Sequence, residues 1–160
     1  MSGMRQRAAR GLKAGEVFSV TRTFTRQDTQ AFGDLTRDYN PVHYDEGFAR
    51  GKGMEGLICH GLLTGSMICE VGGQIAWLAT GMEFSFRRPV YFGDTITCRM
   101  VIIEVDSQGR ARAEASMTNQ RGEEVASARI SGRLPDPGER ESLAVMIAAG
   151  DPHNPLRGKA

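Results

Sequence analysis

Residues 61–77 form an apolar, glycine-rich stretch, and a long series of alternating segments follows it. Its length and apolar content predict a buried helix. Its small residues recur at spacings of four, four and three and therefore lie on one helix face. They are Gly61, Gly65, Cys69 and Gly72. Because each glycine weakens a helix by about 1 kcal/mol relative to alanine, such a helix indicates close packing inside an enclosing structure, and a curved sheet fits that need.

The second half of the chain has the period-two alternation of β-strands. Over 95–105 and 110–117, apolar and polar side chains alternate, so each segment has one face suited to a core. Glycine-containing turns join them to a third strand near 124–134, which predicts an antiparallel meander. Further strands are expected over 16–25 and 82–89. Between the first strand and the motif region, Thr25 followed by Asp28 predicts a capped helix that runs to about Arg37.

These elements predict an α+β hot-dog fold, in which an antiparallel β-sheet wraps around a central α-helix. A generic α+β sandwich with the helix on an open face is the alternative. We expect one domain over 15–134 and a flexible N-terminal tail over 1–14, whose basic composition organelle-targeting arms share. Residues 135–160 are rich in proline and predict a C-terminal tail, in which 139–149 can form one short helix.

The charge balance excludes several classes of partner. Twenty Lys and Arg against nineteen Asp and Glu leave a net charge of +1, so we expect no nucleic-acid partner and no polybasic membrane contact. No apolar run approaches the roughly 20 residues of a transmembrane helix, and the basic N-terminal residues without an apolar run lead us to expect no secretory signal. The three cysteines, Cys59, Cys69 and Cys98, form neither a CxxC pair nor an even set, which predicts a reducing, cytoplasmic location.

The string DYNPVH at 38–43 is the first candidate for chemistry. Asp38 and His43 stand five positions apart in a loop that Pro41 constrains, so both can point at one small volume and hold one water. Asp and Asn before Pro are also ordinary turn formers, and a structural turn explains the same spacing. His60 is interpreted as a helix-start residue. Asp38 and His43 with Glu55 and His60 match no established ligand spacing, so we predict no metal.

DYNPVH is followed about seventeen residues later by HGLLTGS at 60–66 and then by FRRPVYFGD at 86–94. Together these strings resemble the MaoC-like, (R)-specific enoyl-CoA hydratase family over roughly 16–134. The resemblance implies a lyase that reversibly hydrates a trans-2-enoyl thioester to an (R)-3-hydroxyacyl thioester. It implies no separate cofactor, since coenzyme A would arrive as part of the substrate.

The resemblance also implies roles for individual residues. Asp38 and His43 would be the catalytic pair, and backbone N–H groups near Gly61 would form the oxyanion hole. Ser66 matches a position whose hydroxyl supports the aspartate, although a small residue on a glycine-rich helix explains it equally well. Asn40 is expected to shape the loop by hydrogen bonding its own backbone.

Three arginines are candidate substrate contacts. Arg37 stands where the family commonly has glycine, so the chain lacks a conformationally permissive residue there; it contacts an acidic part of the substrate or is simply solvated. Arg87 and Arg88 suit coenzyme A phosphates or are exposed surface charge.

Alternative functions remain open at this stage: a hot-dog thioesterase, a non-catalytic acyl-thioester-binding dimer and a dehydratase of a non-coenzyme hydroxy acid. In each of them a curled sheet leaves an exposed edge that a second copy can extend. We therefore expect a homodimer or a dimer of dimers.

Overall fold

One antiparallel sheet and the helix it encloses form the centre of the computed structural model, which describes residues 3–157. The strands are β1 Val17–Thr23, β2 Leu78–Phe86, β3 Thr95–Val105, β4 Arg110–Thr118 and β5 Glu124–Arg133. The helices are α1 Gly3–Arg10, α2 Arg26–Thr36, α3 Glu46–Gly51, α4 Gly61–Gly65, α5 Met67–Gln74 and α6 Pro137–Ala148, with a 3-10 turn at Pro41–His43. Within this range no helix combines the length and the apolar character that a membrane crossing requires.

The sheet has the spatial order β1-β3-β4-β5-β2, and all neighbouring strands are antiparallel. Its inner face carries the side chains that the alternation predicts: Ile96, Cys98, Met100 and Ile102 of β3 and Ala111, Ala113, Ala115 and Met117 of β4 are all buried. Met67, Ile68 and Val71 of α5 belong to the same core. The predicted hot-dog fold is confirmed.

The central helix is predicted as one element over 61–77 and is built as α4 and α5. Ser66 lies between them in a helical conformation, with φ −62° and ψ −13°, so the chain direction continues. The backbone N–H of Cys69 donates to the Ser66 carbonyl at 2.8 Å, a three-residue spacing that tightens the helix locally. The helix ends at Gln74, before Trp77, because Ala76 takes a left-handed φ of 53°.

Two glycines explain how β2 approaches this helix. A Cβ atom on Gly61 would lie 3.0 Å from the Phe86 ring, and one on Gly65 would lie 2.9 Å from the Phe84 ring. Larger side chains at these positions would push β2 away. The close packing expected of the glycine face is therefore real, although Cys69 on the same face is exposed.

The N-terminal segment differs from the expected flexible tail. Residues 3–10 form α1, which packs on α6, and its Ala8 is completely buried. The physical reason is that this short segment supplies apolar side chains to the core, including Met4 and Ala9. The C-terminal helix α6 covers most of the expected 139–149 and begins two residues earlier at a capping box of Asp136 and Glu139. Residues 1–2 and 158–160 of the predicted tails lie outside the described residues.

A buried polar network, here called the terminal clamp, joins both ends of the chain to the C-terminal end of α5. Arg5 Nη1 lies 2.9 Å from both carboxylate oxygens of Asp151, and Arg5 Nη2 donates to the Gly73 carbonyl at 2.8 Å. Asn154 donates to Asp151 at 2.8 Å and exchanges two hydrogen bonds of 3.1 Å with Gln74. The hydrogen bonds of the terminal clamp satisfy polar groups that would otherwise be buried without a partner.

Candidate active site

Helix α2 leads directly into the loop that carries the candidate site residues. Thr25 and Asp28 form the predicted capping box, and the helix ends at Thr36. Arg37 follows with φ 60° and ψ 27°, the left-handed conformation that glycine adopts without steric cost. The arginine noted in the sequence therefore occupies a strained backbone position, while its side chain is exposed.

The loop after Arg37 is held by short-range hydrogen bonds. The Asn40 side-chain oxygen accepts from the Val42 N–H at 3.3 Å, and an oxygen of Asp38 accepts from the Asn40 N–H at 3.2 Å. Pro41 begins the 3-10 turn, in which the His43 N–H donates to the Asn40 carbonyl at 3.0 Å. The turn carries His43 from the exposed loop into the interior, where the residue is 8% exposed.

His43 is held with one ring nitrogen available. Its Nδ1 lies 2.9 Å from the Ile58 carbonyl oxygen. Because a carbonyl oxygen only accepts, Nδ1 carries the hydrogen and Nε2 keeps its lone pair in the neutral ring. Burial lowers the pKa of His43, and the neighbouring His60 lowers it further, against the opposing effects of the Ile58 carbonyl and Asp38. His43 is therefore a neutral base at pH 7.

His60 contacts both members of the candidate pair. Its Nε2 donates to the Asp38 backbone carbonyl at 2.9 Å, and its ring centroid lies 3.8 Å from that of His43 with a 31° tilt. Tyr44 Oη donates to the same carbonyl at 3.3 Å. His60 is the residue before α4, as predicted, but its contacts with Asp38 and His43 are invisible in the sequence, because no spacing rule relates loop residues to a helix start.

The structure brings Asp38, His43 and His60 together. A potential ligand atom from each lies within 4.8 Å of the others, a separation that one water molecule can bridge. Both imidazoles are buried, whereas the Asp38 side chain is 50% exposed. This set can also ligate a metal ion, but coordination through His60 Nε2 would replace its hydrogen bond to Asp38. Glu55 does not belong to the cluster within residues 3–157, and the absence of a metal stays a prediction.

A cavity of about 370 Å³ lies beside His43. Gly61, Arg87 and Arg88 line it with His43, and its walls are mainly apolar, including Met54. Four other candidate residues are not among the lining residues in the described part of the chain. These are Arg37, Asp38, Asn40 and Ser66.

The remaining candidates have local partners. Arg87 Nε forms an ion pair of 2.6 Å with the Glu124 carboxylate, and Arg88 Nη1 donates to the Glu124 backbone carbonyl at 2.7 Å. Ser66 Oγ donates to the Leu63 carbonyl at 2.6 Å, within its own helix. Its predicted contact with Asp38 is not found among residues 3–157. The hydroxyl of Ser66 therefore stabilises the junction of α4 and α5.

The cysteines offer no nucleophile to this cavity. Cys59, Cys69 and Cys98 are all unpaired. Burial raises the pKa of Cys59 and of Cys98 to about 11. Cys59 lines the cavity, but it is held as a thiol, and the thiolate is the nucleophilic form.

Comparisons with known proteins agree on one family. The family model described as "MaoC like domain" matches residues 10–125. The (R)-specific enoyl-CoA hydratase of Aeromonas caviae is 29% identical over 117 residues, which cover 71% of this chain and 85% of that protein. The mitochondrial 3-hydroxyacyl-[acyl-carrier-protein] dehydratase of Arabidopsis thaliana is 36% identical over 87 residues. These residues cover 53% of this chain and 52% of that protein, so the chain matches about half the length of that relative.

A solved structure supports the same comparison. The unliganded R-hydratase PhaJ1 from Pseudomonas aeruginosa superimposes with a TM-score of 0.73 and 26% sequence identity. The match covers 80% of this chain and 85% of the other.

Proposed function

The chain belongs to the MaoC like domain family, and we propose from this premise that it catalyses the reversible hydration of a trans-2-enoyl thioester to an (R)-3-hydroxyacyl thioester. One observation carries the proposal: Asp38 and His43 present polar atoms within 4.8 Å of each other, and His43 lines a cavity that reaches the start of α4. The matched hydratase and dehydratase, whose names describe the two directions of one reaction, support it.

Asp38 and His43 hold the reacting water. The carboxylate of Asp38 accepts one of its hydrogens, and the lone pair on His43 Nε2 accepts the other. As the water oxygen bonds to Cβ, one proton passes to this pair, the Cα–Cβ π electrons shift toward the thioester, and a proton returns to Cα. Such positioned acid–base groups contribute about 10² to 10⁴ in rate.

Negative charge that builds on the thioester oxygen is stabilised at the beginning of α4. The first N–H groups of a helix have no intrahelical partner, and the aligned peptide dipoles favour negative charge there. Ser66 keeps α4 and α5 aligned, so the dipoles of both segments contribute. The N–H groups near Gly61 are the candidate donors, and loss of one such donor costs about 3 to 4 kcal/mol.

The carrier of the acyl group enters past the arginines on the cavity rim. Arg87 and Arg88 are exposed beside Glu124, and their guanidinium groups suit the phosphates of coenzyme A. Arg37 lies outside the cavity and is a weaker candidate for this contact. The chemistry uses no cofactor beyond coenzyme A itself, which is part of the substrate.

A second copy of the chain extends the sheet at β2. This strand pairs only with β5 among the described residues, so the backbone groups of its other edge are unpaired there, and several of its apolar side chains are exposed. Leu78, Met82 and Phe86 are 67%, 42% and 51% exposed. An unpaired, apolar edge strand favours pairing with a like strand, so we propose a homodimer, which can in turn form a dimer of dimers. Sedimentation equilibrium tests this, and a monomer at micromolar concentration would contradict it.

The function is tested with crotonyl-CoA by loss of the enone absorbance, in buffer that contains EDTA. We expect hydration by the wild type and a decrease in kcat of at least about a hundredfold in Asp38→Asn and in His43→Asn. The asparagine in His43→Asn retains a donor for the Ile58 carbonyl, which protects the fold. Asp136→Asn and His153→Ala replace exposed residues of the same types and serve as matched controls with expected wild-type rates.

Three outcomes would contradict the proposal. Release of free thiol from the substrate would indicate a thioesterase. Ligand binding without turnover by the wild type would indicate a binding protein. Wild-type rates in both Asp38→Asn and His43→Asn would leave the reaction without its proposed acid–base pair.

A further inference from the structure

His60 is an almost completely buried polar group beside the reacting pair, and its contacts are unusual for a helix-start residue. Only 2% of it is exposed, and it makes no side-chain hydrogen bond that caps α4. Instead it bonds the Asp38 carbonyl and stacks on the His43 ring. Its second nitrogen, Nδ1, is buried without a hydrogen-bond partner among residues 3–157.

From this arrangement we infer that His60 is a positioning residue of the active site, which fixes Asp38 through its Nε2–H donor and fixes His43 through ring stacking. The inference rests on the proposed hydration reaction, and it assigns to His60 two separable tasks. The donor holds the loop at the residue whose carboxylate meets the water. The ring holds the imidazole whose Nε2 accepts the proton.

The donor task follows from the loop geometry. Asp38 comes directly after the left-handed Arg37, and its carboxylate is half exposed, so little packing fixes it. Its carbonyl accepts from His60 at 2.9 Å and from Tyr44 at 3.3 Å, which ties the loop to the helix start and to the 3-10 turn. A misplacement of about 1 Å in a catalytic group can cost on the order of 10²-fold in rate.

The ring task follows from the surroundings of His43. Its titratable neighbours are Asp38, His60 and Tyr44, whose ring meets it edge-on at 6.1 Å, while Arg87 and Arg88 line the same cavity. The His60 ring covers one face of the imidazole and keeps water from it. A charged imidazolium is therefore disfavoured beside His60, and the neutral base persists to lower pH.

The unpartnered Nδ1 distinguishes this interpretation from simple core packing. A buried polar atom without a partner costs about 1 to 3 kcal/mol. An apolar ring would fill the same space without that cost, so packing alone does not explain a histidine here. The Nε2–H bond to Asp38 is the contribution that an apolar ring lacks.

Two substitutions separate the tasks. His60→Phe keeps an aromatic ring against His43 and removes the donor. His60→Gln keeps an amide donor near the position of Nε2 and removes the ring. Each is assayed for kcat, KM and the pH dependence of kcat with crotonyl-CoA, and the pKa of His43 is measured by NMR titration of its ring protons.

We expect His60→Phe to lower kcat by about 10- to 100-fold with little change in KM. The acid limb of its kcat profile should move less than in His60→Gln, because the phenyl ring keeps the burial of His43 and removes only the smaller effect of charge from His60. We expect His60→Gln to retain more activity and to move the acid limb and the NMR pKa of His43 to higher pH. His153→Gln, at an exposed histidine, is the control for both readouts.

Wild-type kcat in His60→Phe and an unmoved His43 pKa in His60→Gln would overturn the inference. Equal losses in both variants with no shift of the pH profile would assign His60 a structural role and also overturn it. The NMR titration needs no turnover, so the ring task is decided even if the wild type fails to hydrate crotonyl-CoA and the proposed function falls. If His60→Phe does not fold, His60→Asn, which shortens the donor's reach and should lose the Asp38 contact, replaces it.

Discussion

Arg5→Met removes the charge at the centre of the terminal clamp and keeps most of the aliphatic stem. The guanidinium makes two contacts of 2.9 Å with Asp151 and one hydrogen bond of 2.8 Å to the Gly73 carbonyl. The side chains of Arg5 and Asp151 are 15% and 9% exposed, so solvent replaces these contacts poorly. Within residues 3–157, the substitution therefore leaves the Asp151 carboxylate buried with only Asn154 as a side-chain donor.

The expected loss can be worked out from these contacts. Breaking a buried ion pair by removing one partner costs about 3 to 5 kcal/mol. Asn154 still donates to Asp151 and Arg5 is slightly exposed, so we expect the lower end, about 3 kcal/mol. For a chain of this size each 1 kcal/mol shifts Tm by about 2 to 4 °C, which gives a decrease of about 6 to 12 °C.

Urea unfolding, followed by the fluorescence of Trp77 at fixed protein concentration, measures this loss. Glu104→Ala provides the control, because its ion pair with Arg112 is largely exposed and is worth about 1 kcal/mol or less. An Arg5→Met protein that unfolds within about 0.5 kcal/mol of the wild type would show that the terminal clamp contributes little to stability.

Two further predictions concern the active-site loop. Arg37→Gly relieves the left-handed backbone at φ 60°, and we expect it to raise the free energy of unfolding by about 0.5 to 1 kcal/mol in urea; a decrease would show that the arginine side chain stabilises the loop. Because the pKa of His43 is lowered on folding, the unfolded chain takes up a proton near pH 6.5 before the folded chain does. Stability and kcat should therefore hold above pH 6.5; stability should fall from there toward the lowered pKa, and kcat should fall only at the lowered pKa. An acid limb of kcat above pH 6.5 would contradict this.

The sheet could be predicted closely because strand alternation is a local signal. The bounds of β3 agree with the predicted 95–105, since every second residue from Ile96 to Ile102 is buried. β2 begins at Leu78, four residues before the prediction, because its side chains are mostly exposed and its pattern lacks a buried face. α1 was missed because its apolar residues are few and its contact with α6 joins opposite ends of the chain.

The site was predictable only in part for a related reason. Asp38 and His43 belong to one short string, and the loop that joins them brings them close. His60 contacts them only through the tertiary structure. The Tyr44 hydroxyl also depends on a tertiary contact, because it packs against Gly33, where a Cβ would lie 1.8 Å from it. The spacing of residues along the sequence does not predict such contacts. Ser66 is the opposite case. Its motif position predicted a contact with Asp38, but its hydroxyl bonds the Leu63 carbonyl of its own helix instead.

The register of β1 has a consequence for the order of assembly. β3, β4 and β5 pair with their sequence neighbours, whereas Val17 of β1 pairs with Val101, across about half of the chain. Closing so long a loop carries a large entropic cost, so we expect the meander to form early and the β1 pairing late. The residues from Asp38 to Gly61 lie inside that loop. Catalytic competence should therefore be the last property gained during refolding and the first lost when the β1 edge frays.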